Sequence, residues 1–139
     1  HSTKAELSVT LQDDARSVLL LCLTNPKRTS VPMEWLPWQG WHALHLQAST
    51  VPNGTPLKRS AGPPIDWDDR ERQSLDPNVP VCGVVNLEER FPGLHDARAR
   101  SAVLVAWAYE TPPPGTKGWQ PTRPGWLHGS IVLPRQGGR

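Results

Sequence analysis

Short apolar stretches, separated by turn-forming residues, recur along most of the chain. In residues 6–11, leucine and valine alternate with polar side chains, a pattern that predicts a half-buried strand. Residues 17–24 are almost continuously apolar and end at Asn25-Pro26, as expected of a central strand that is covered on both faces and followed by a turn. The first part of the chain is therefore predicted to form two strands.

The same patterns predict further strands at residues 31–38, 41–47, 79–87, 101–109 and 126–133. Pro32 and Pro37 restrict the first of these to an edge or kinked strand, because proline has no backbone N–H to donate. Most of residues 48–78 and the proline-rich stretch 111–125 are predicted to be loop.

Helix signals are weak throughout the sequence. The best candidate is 88–100, whose first residues predict a turn or a short helix before Pro92-Gly93 interrupts the pattern. The 11 glycines and 16 prolines of the chain are also too many breakers for a helical bundle.

The spacing of the strands predicts the fold class. About seven short strands joined by long proline-rich loops are typical of an all-β, two-sheet antiparallel sandwich. The 139 residues correspond to a single domain, 1–139, for which we expect a core over about 7–133 and flexible ends at 1–5 and 134–139.

Charge and hydropathy exclude two classes of partner. The net charge is +2 and the basic residues form no dense stripe, so nucleic acid is not an expected ligand. The longest apolar run, 18–23, is far shorter than the roughly 20 residues needed to cross a bilayer, so no membrane span is expected.

Three stretches of the chain resemble a known class of domain. They are Leu19-Leu20-Leu21-Cys22-Leu23-Thr24-Asn25, then Leu57-Lys58-Arg59 with Gly62-Pro63-Pro64, and then Ser74-Leu75-Asp76-Pro77 through Val84-Val85-Asn86-Leu87. In this order they are similar to bacterial immunoglobulin-like domains, such as the non-catalytic domain that precedes the catalytic part of deuterolysin-type metallopeptidases. The resemblance spans about residues 7–110 and implies an immunoglobulin-like sandwich. Asn78 and Asn86 stand where that pattern has glycine and aspartate.

Motifs for catalysis and metal binding are missing from the sequence. The metallopeptidase signature His-Glu-x-x-His and the nucleophile elbow Gly-x-Ser-x-Gly are both absent. His42 and His45 would point to opposite faces of a strand, and the acidic stretch 66–71 lacks the glycine and distal glutamate of a calcium loop. We therefore expect no catalytic residues, no metal site and no cofactor.

The two cysteines, Cys22 and Cys82, form no Cys-x-x-Cys motif, so neither a zinc knuckle nor a thioredoxin-like site is indicated. If the odd-numbered leucines of strand 17–24 face the core, alternation places Cys22 on the outer face, and the same reasoning places Cys82 there. Two such cysteines on neighbouring strands can form a disulfide in an exported protein. The alternative is a pair of buried free thiols.

Seven tryptophans, against one tyrosine and one phenylalanine, are the most unusual feature of the composition. Loop tryptophans anchor protein interfaces and also stack on sugar rings. The alternative is that Trp35 and Trp107 fill the core while the other tryptophans cover loops. We predict partner-binding loops at 35–42, 63–72 and 112–126. Their predicted contact residues are Trp35, Trp38, Trp41, Trp67, Asp68, Arg70, Trp119 and Arg123.

Together these observations favour a non-catalytic binding protein of the cell envelope, in the periplasm or outside the cell. The expected ligand is a protein partner, as for an inhibitor or immunity protein of a secreted enzyme or toxin. The alternatives are a carbohydrate-binding module that presents a tryptophan platform to a polysaccharide, and an accessory domain of a larger secreted enzyme.

Overall fold

The computed structural model describes residues 6–26, 28–33, 36–39, 44–60, 73–110 and 126–136. Within these residues the chain forms eight strands and two short helices. In chain order they are β1 (Glu6–Asp13), β2 (Val18–Thr24), β3 (Val31–Met33), β4 (Leu44–Val51), β5 (Gln73–Leu75), β6 (Val81–Asn86), α1 (Leu87–Arg90), α2 (Leu94–Arg100), β7 (Ala102–Glu110) and β8 (Trp126–Leu133).

Two antiparallel three-stranded sheets, β1-β2-β6 and β4-β7-β8, form the body of the described part of the molecule, beside a β3-β5 ribbon. In an immunoglobulin-type sandwich the first, second and fifth strands face the third, sixth and seventh. With β3 set aside and β5 counted as the fourth strand, β1, β2 and β6 take the first, second and fifth places, and β4, β7 and β8 take the third, sixth and seventh. The predicted all-β, two-sheet sandwich is thus confirmed. The proline-rich loop predicted at 111–125 lies outside the described residues.

The core lies between the two sheets and is built by the alternation seen in the sequence. In β2 every second residue is fully buried, and β4 begins with the same pattern. Burial of Tyr109 in this layer raises the pKa of its phenol, because the anion would lose its hydration. The buried apolar residues of the strands are Leu19, Leu21, Leu23, Val85, Leu44, Leu46, Ala48, Leu75, Val103, Val105, Tyr109 and Leu133.

A disulfide joins Cys22 of β2 to Cys82 of β6, which are paired in register across the first sheet. Both side chains lie on the outer face, since the neighbouring inward positions Leu21 and Leu23 are buried. The predicted pairing is confirmed, and the alternative of two free thiols is wrong. In antibody domains the disulfide crosses between the sheets, whereas here it links two neighbouring strands of one sheet.

The structure contains strand residues where the sequence predicts mostly loop. Within residues 48–78, β4 continues to Val51 and an additional strand, β5, occupies Gln73–Leu75. The buried amide of Asn25 stabilises β5, because its Nδ2 donates hydrogen bonds to the carbonyl oxygens of Thr29 (2.8 Å) and Leu75 (2.9 Å). A three-residue strand held by such a distant contact has no local sequence signal.

The candidate region 88–100 forms two short helices on either side of Pro92. Asn86 caps the first helix, since its side-chain oxygen accepts a hydrogen bond of 3.0 Å from the backbone N–H of Glu88. Leu87, Phe91 and Leu94 are fully buried and attach this segment to the core. Among the described residues, no helix has the length and apolar character needed to cross a membrane.

The side chain of Arg98 in α2 is fully buried and links this helix to the turn after β1 and to the residues after β8. Its guanidinium donates to the backbone oxygen of Asp14 (2.7 Å), to Ser17 Oγ (2.8 Å) and to the carbonyl of Pro134 (2.7 and 3.1 Å). It also forms an ion pair with the Asp14 carboxylate. Gln136 donates its backbone N–H to the carbonyl of Arg98 at 2.7 Å, so the chain beyond β8 is held against α2.

Candidate functional site

A concavity with a largely polar lining lies at the start of β4, and we call it the Arg59 cavity. Its volume is about 530 Å³, within the range of ligand pockets. Apolar side chains from β4 and the end of α1 meet two arginines and a histidine around it. The lining residues are Leu44, His45, Leu46, Arg59, Ser60, Arg90 and Phe91.

One wall of the cavity is formed by the chain that follows β4. After the turn at 52–54, residues 55–59 run back beside β4 and cover its edge. Thr50 donates its N–H to the carbonyl of Thr55 at 2.9 Å, and Leu57 donates to Ala48 at 2.8 Å. Ser60 then donates its N–H to the carbonyl of Arg90 at 2.8 Å, which fixes this wall to α1. Backbone hydrogen bonds therefore position Arg59 on a rigid sheet edge.

Arg59 presents an exposed guanidinium to the cavity. Its Nη1 donates to the carbonyl of Leu46 at 3.4 Å, a long hydrogen bond that orients the side chain along β4. Within the part of the chain that the structure describes, its Nε and Nη2 make no hydrogen bond. These donors can therefore bind an incoming acceptor.

Arg90 supplies the second guanidinium and is only 8% exposed. Burial lowers the pKa of Arg90, because the charged form loses hydration, and the nearby Glu89 carboxylate raises it again. Beside it, Leu44 and Phe91 are fully buried and provide apolar walls. A guanidinium in such surroundings is weakly screened by water.

A second cavity of about 470 Å³ lies further along β4, and Arg59 lines both cavities. Its other lining residues come from β4, the returning segment and the centre of β7, namely Gln47, Ala48, Ser49, Pro56, Leu57, Leu104 and Ala106. This second surface is mixed in polarity and carries no charged side chain other than Arg59 among its described residues. Arg59 is thus the residue that both concave surfaces share.

Of the eight predicted contact residues, the structure describes Trp38 alone. Trp38 is half-buried and packs against the core. Its indole covers Gly83 of β6, where an added Cβ would lie 2.3–2.6 Å from three ring atoms. Its predicted contact with a partner remains a prediction. The others, Trp35, Trp41, Trp67, Asp68, Arg70, Trp119 and Arg123, lie outside the described residues.

We expect Gly83→Ala to lower the free energy of unfolding by about 2 kcal/mol, because the new methyl group would displace the Trp38 indole. Urea unfolding followed by tryptophan fluorescence measures this change. Gly93→Ala is the matched control, since a Cβ there meets no atom within 4 Å. Equal stability of the two variants would show that the packing of the Trp38 indole against Gly83 does not contribute to the stability of the fold.

The described histidines, His45, His95 and His128, are exposed on the surface. His95 Nδ1 lies 3.3 Å from Glu88 Oε1 on an exposed surface, and no hydrogen bond to a serine accompanies this contact in the described ranges. His128 is exposed on β8, and His45 is exposed on β4 while its predicted opposite, His42, is not described. No group of three potential metal ligands occurs among the described residues.

No protein-family model matches the chain, and no curated protein matches its sequence. The class of protein is therefore defined by the fold and the site alone: a disulfide-linked, immunoglobulin-type β-sandwich with an arginine-lined cavity at a sheet edge.

Proposed function

We propose that the protein is a non-catalytic binding protein of the cell envelope or the extracellular space, and that it recognises a protein partner through the Arg59 cavity. An inhibitor or immunity protein of a secreted enzyme or toxin is the form of this function that we favour. The observation that carries the proposal is the exposed guanidinium of Arg59, which lies on a sheet edge beside apolar walls and Arg90 of α1. Arginine beside apolar surface is enriched at the energetic centres of protein interfaces.

The proposed compartment is supported by the disulfide. Bonds such as Cys22–Cys82 persist in the periplasm and outside the cell and are rare where thiols are kept reduced. The disulfide also restricts the first sheet, and a rigid frame loses less conformational entropy when it binds.

A carbohydrate-binding module and an accessory domain of a larger secreted enzyme are the alternatives. The sugar-binding alternative requires an exposed tryptophan platform. Trp38 is the member of the predicted platform that the structure describes, and its indole packs over Gly83. We therefore favour a protein partner.

We expect immobilised protein to retain a partner from envelope or extracellular fractions of its source, and Arg59→Glu to weaken that binding about tenfold or more. The physical reason is that the substitution reverses the charge at the residue that both cavities share. Mass spectrometry identifies the retained protein, and calorimetric titration of the purified partner against both forms measures the two affinities.

Arg28→Glu is the control for this experiment because it makes the same change in net charge. Arg28 is exposed and follows β2, at the end of its sheet away from α1, so its variant should bind like the wild type. Retention on a polysaccharide column without any protein partner, or turnover of a substrate by the purified protein, would contradict the proposed function. If Arg59→Glu binds the partner as tightly as the wild type, the partner contacts another face of the protein.

A further inference from the structure

We propose that the Arg59 cavity is a carboxylate-binding site, which accepts a glutamate or aspartate side chain of the protein partner. This inference rests on the proposed function and specifies the chemistry of recognition at the same site. Three features of the cavity support it: the charge of its described lining, the geometry of Arg59, and its apolar walls.

The described lining of the cavity is positively charged. Arg59 and Arg90 both line it, and its described lining includes no aspartate or glutamate. Low-dielectric walls beside charges of one sign concentrate the electrostatic potential inside a concavity. An anionic group of the partner is therefore attracted, and a cationic one is repelled.

The geometry of Arg59 suits a planar anion. A guanidinium presents its N–H groups as a rigid fork that can donate two parallel hydrogen bonds to the two oxygens of a carboxylate. The long bond from Nη1 to Leu46 holds the side chain along β4, while Nε and Nη2 remain as donors with no hydrogen bond among the described residues. A bound carboxylate would thus meet a pre-oriented fork.

The apolar walls fit the stem of an acidic side chain. Leu44, Leu46 and Phe91 line the cavity beside the arginines. Methylene groups of a glutamate can pack on such surface while the carboxylate reaches the guanidinium. An inorganic anion would leave these walls in contact with water.

The test is a titration of the ¹⁵N-labelled protein with a blocked tri-glutamate peptide, followed by NMR at constant ionic strength. We expect saturable shifts of the Arg59 Nε–H signal and of residues that line the cavity. A blocked tri-glutamine peptide should produce none of them. In Arg59→Gln the affinity for tri-glutamate should fall about tenfold, as expected when a hydrogen bond to a charged group is lost. Arg28→Gln should bind like the wild type.

Three results would overturn the inference. They are equal shifts with tri-glutamine, unchanged affinity in an Arg59→Gln variant that retains the wild-type amide spectrum, and inorganic phosphate that binds the cavity more tightly than tri-glutamate. Failure of the proposed function has a different signature. In that case the cavity binds tri-glutamate, but the wild-type protein retains no partner from the native fractions.

Discussion

Replacing both Cys22 and Cys82 by alanine is expected to lower the free energy of unfolding by about 4 kcal/mol. The bond closes a loop between residues separated by 60 positions, and the chain-entropy model assigns about 4 kcal/mol to a cross-link of that length. Both sulfurs lie on the outer face of the sheet, so removing them leaves no large cavity in the core. Urea unfolding without reductant measures the change.

Reduction provides the control for the cysteine experiment. Wild-type protein in dithiothreitol should lose about as much stability as the double variant, while the variant should not respond to the reagent. Mass spectra of the wild-type protein with and without reductant should differ by two protons. An unfolding midpoint for the variant equal to that of the oxidised wild type would contradict the expected contribution of the disulfide.

Arg98→Met is expected to destabilise the protein by about 3 kcal/mol. Methionine retains much of the side-chain volume but removes every hydrogen bond to Asp14, Ser17 and Pro134. Hydrogen bonds to a charged group contribute about 1.5–3 kcal/mol each, and removing one partner of a buried ion pair costs about 3–5 kcal/mol. The Asp14 side chain is 58% exposed and can be hydrated again when Arg98 is removed. The loss of stability should therefore lie at the lower end of the range for a buried ion pair, about 3 kcal/mol.

Arg100→Met, on the exposed side of the same helix, is the matched control for Arg98→Met. It removes the same charge and should change the stability by less than about 0.5 kcal/mol. Chemical denaturation of both variants, followed by circular dichroism, gives the comparison. Similar stability of the two variants would mean that the Arg98 network contributes little to holding the termini of β1, α2 and β8 together.

Much of the sandwich could be predicted from local pattern. Strands β1, β2, β7 and β8 lie within one or two residues of their predicted positions, because an alternating or continuous apolar pattern matches a half-buried or central strand. The same alternation correctly placed Cys22 and Cys82 on one outer face. The residues of these strands are therefore sufficient to predict them.

Strand β5 was missed and the helix candidate 88–100 was only partly predicted, because both depend on contacts with residues elsewhere in the fold. Strand β5 is held through Asn25, 50 positions earlier in the chain. The helices α1 and α2 are too short to show a periodic pattern, and burial of Phe91 and Leu94 stabilises them. Only the folded chain shows these interactions.

The Arg59 cavity was not predicted for a related reason. In the sequence, Arg59 is notable only as part of a stretch that resembles other immunoglobulin-like domains. No sequence pattern marks Arg90 as a site residue. The bond from the Ser60 N–H to the Arg90 carbonyl brings the two arginines to one cavity. Of the tryptophans in the predicted partner-binding loops, the structure describes only Trp38, whose indole packs against Gly83 of β6.

The segment 55–59 has a consequence for how molecules can meet at β4. An uncovered edge strand offers its N–H and C=O groups as a template on which another chain can extend the sheet. Here the carbonyls of Leu46 and Ala48, and both backbone groups of Thr50, already form hydrogen bonds with residues 54–59. These contacts hinder strand addition along this part of β4, so a partner is expected to be recognised there mainly through its side chains, and self-association through this edge is disfavoured.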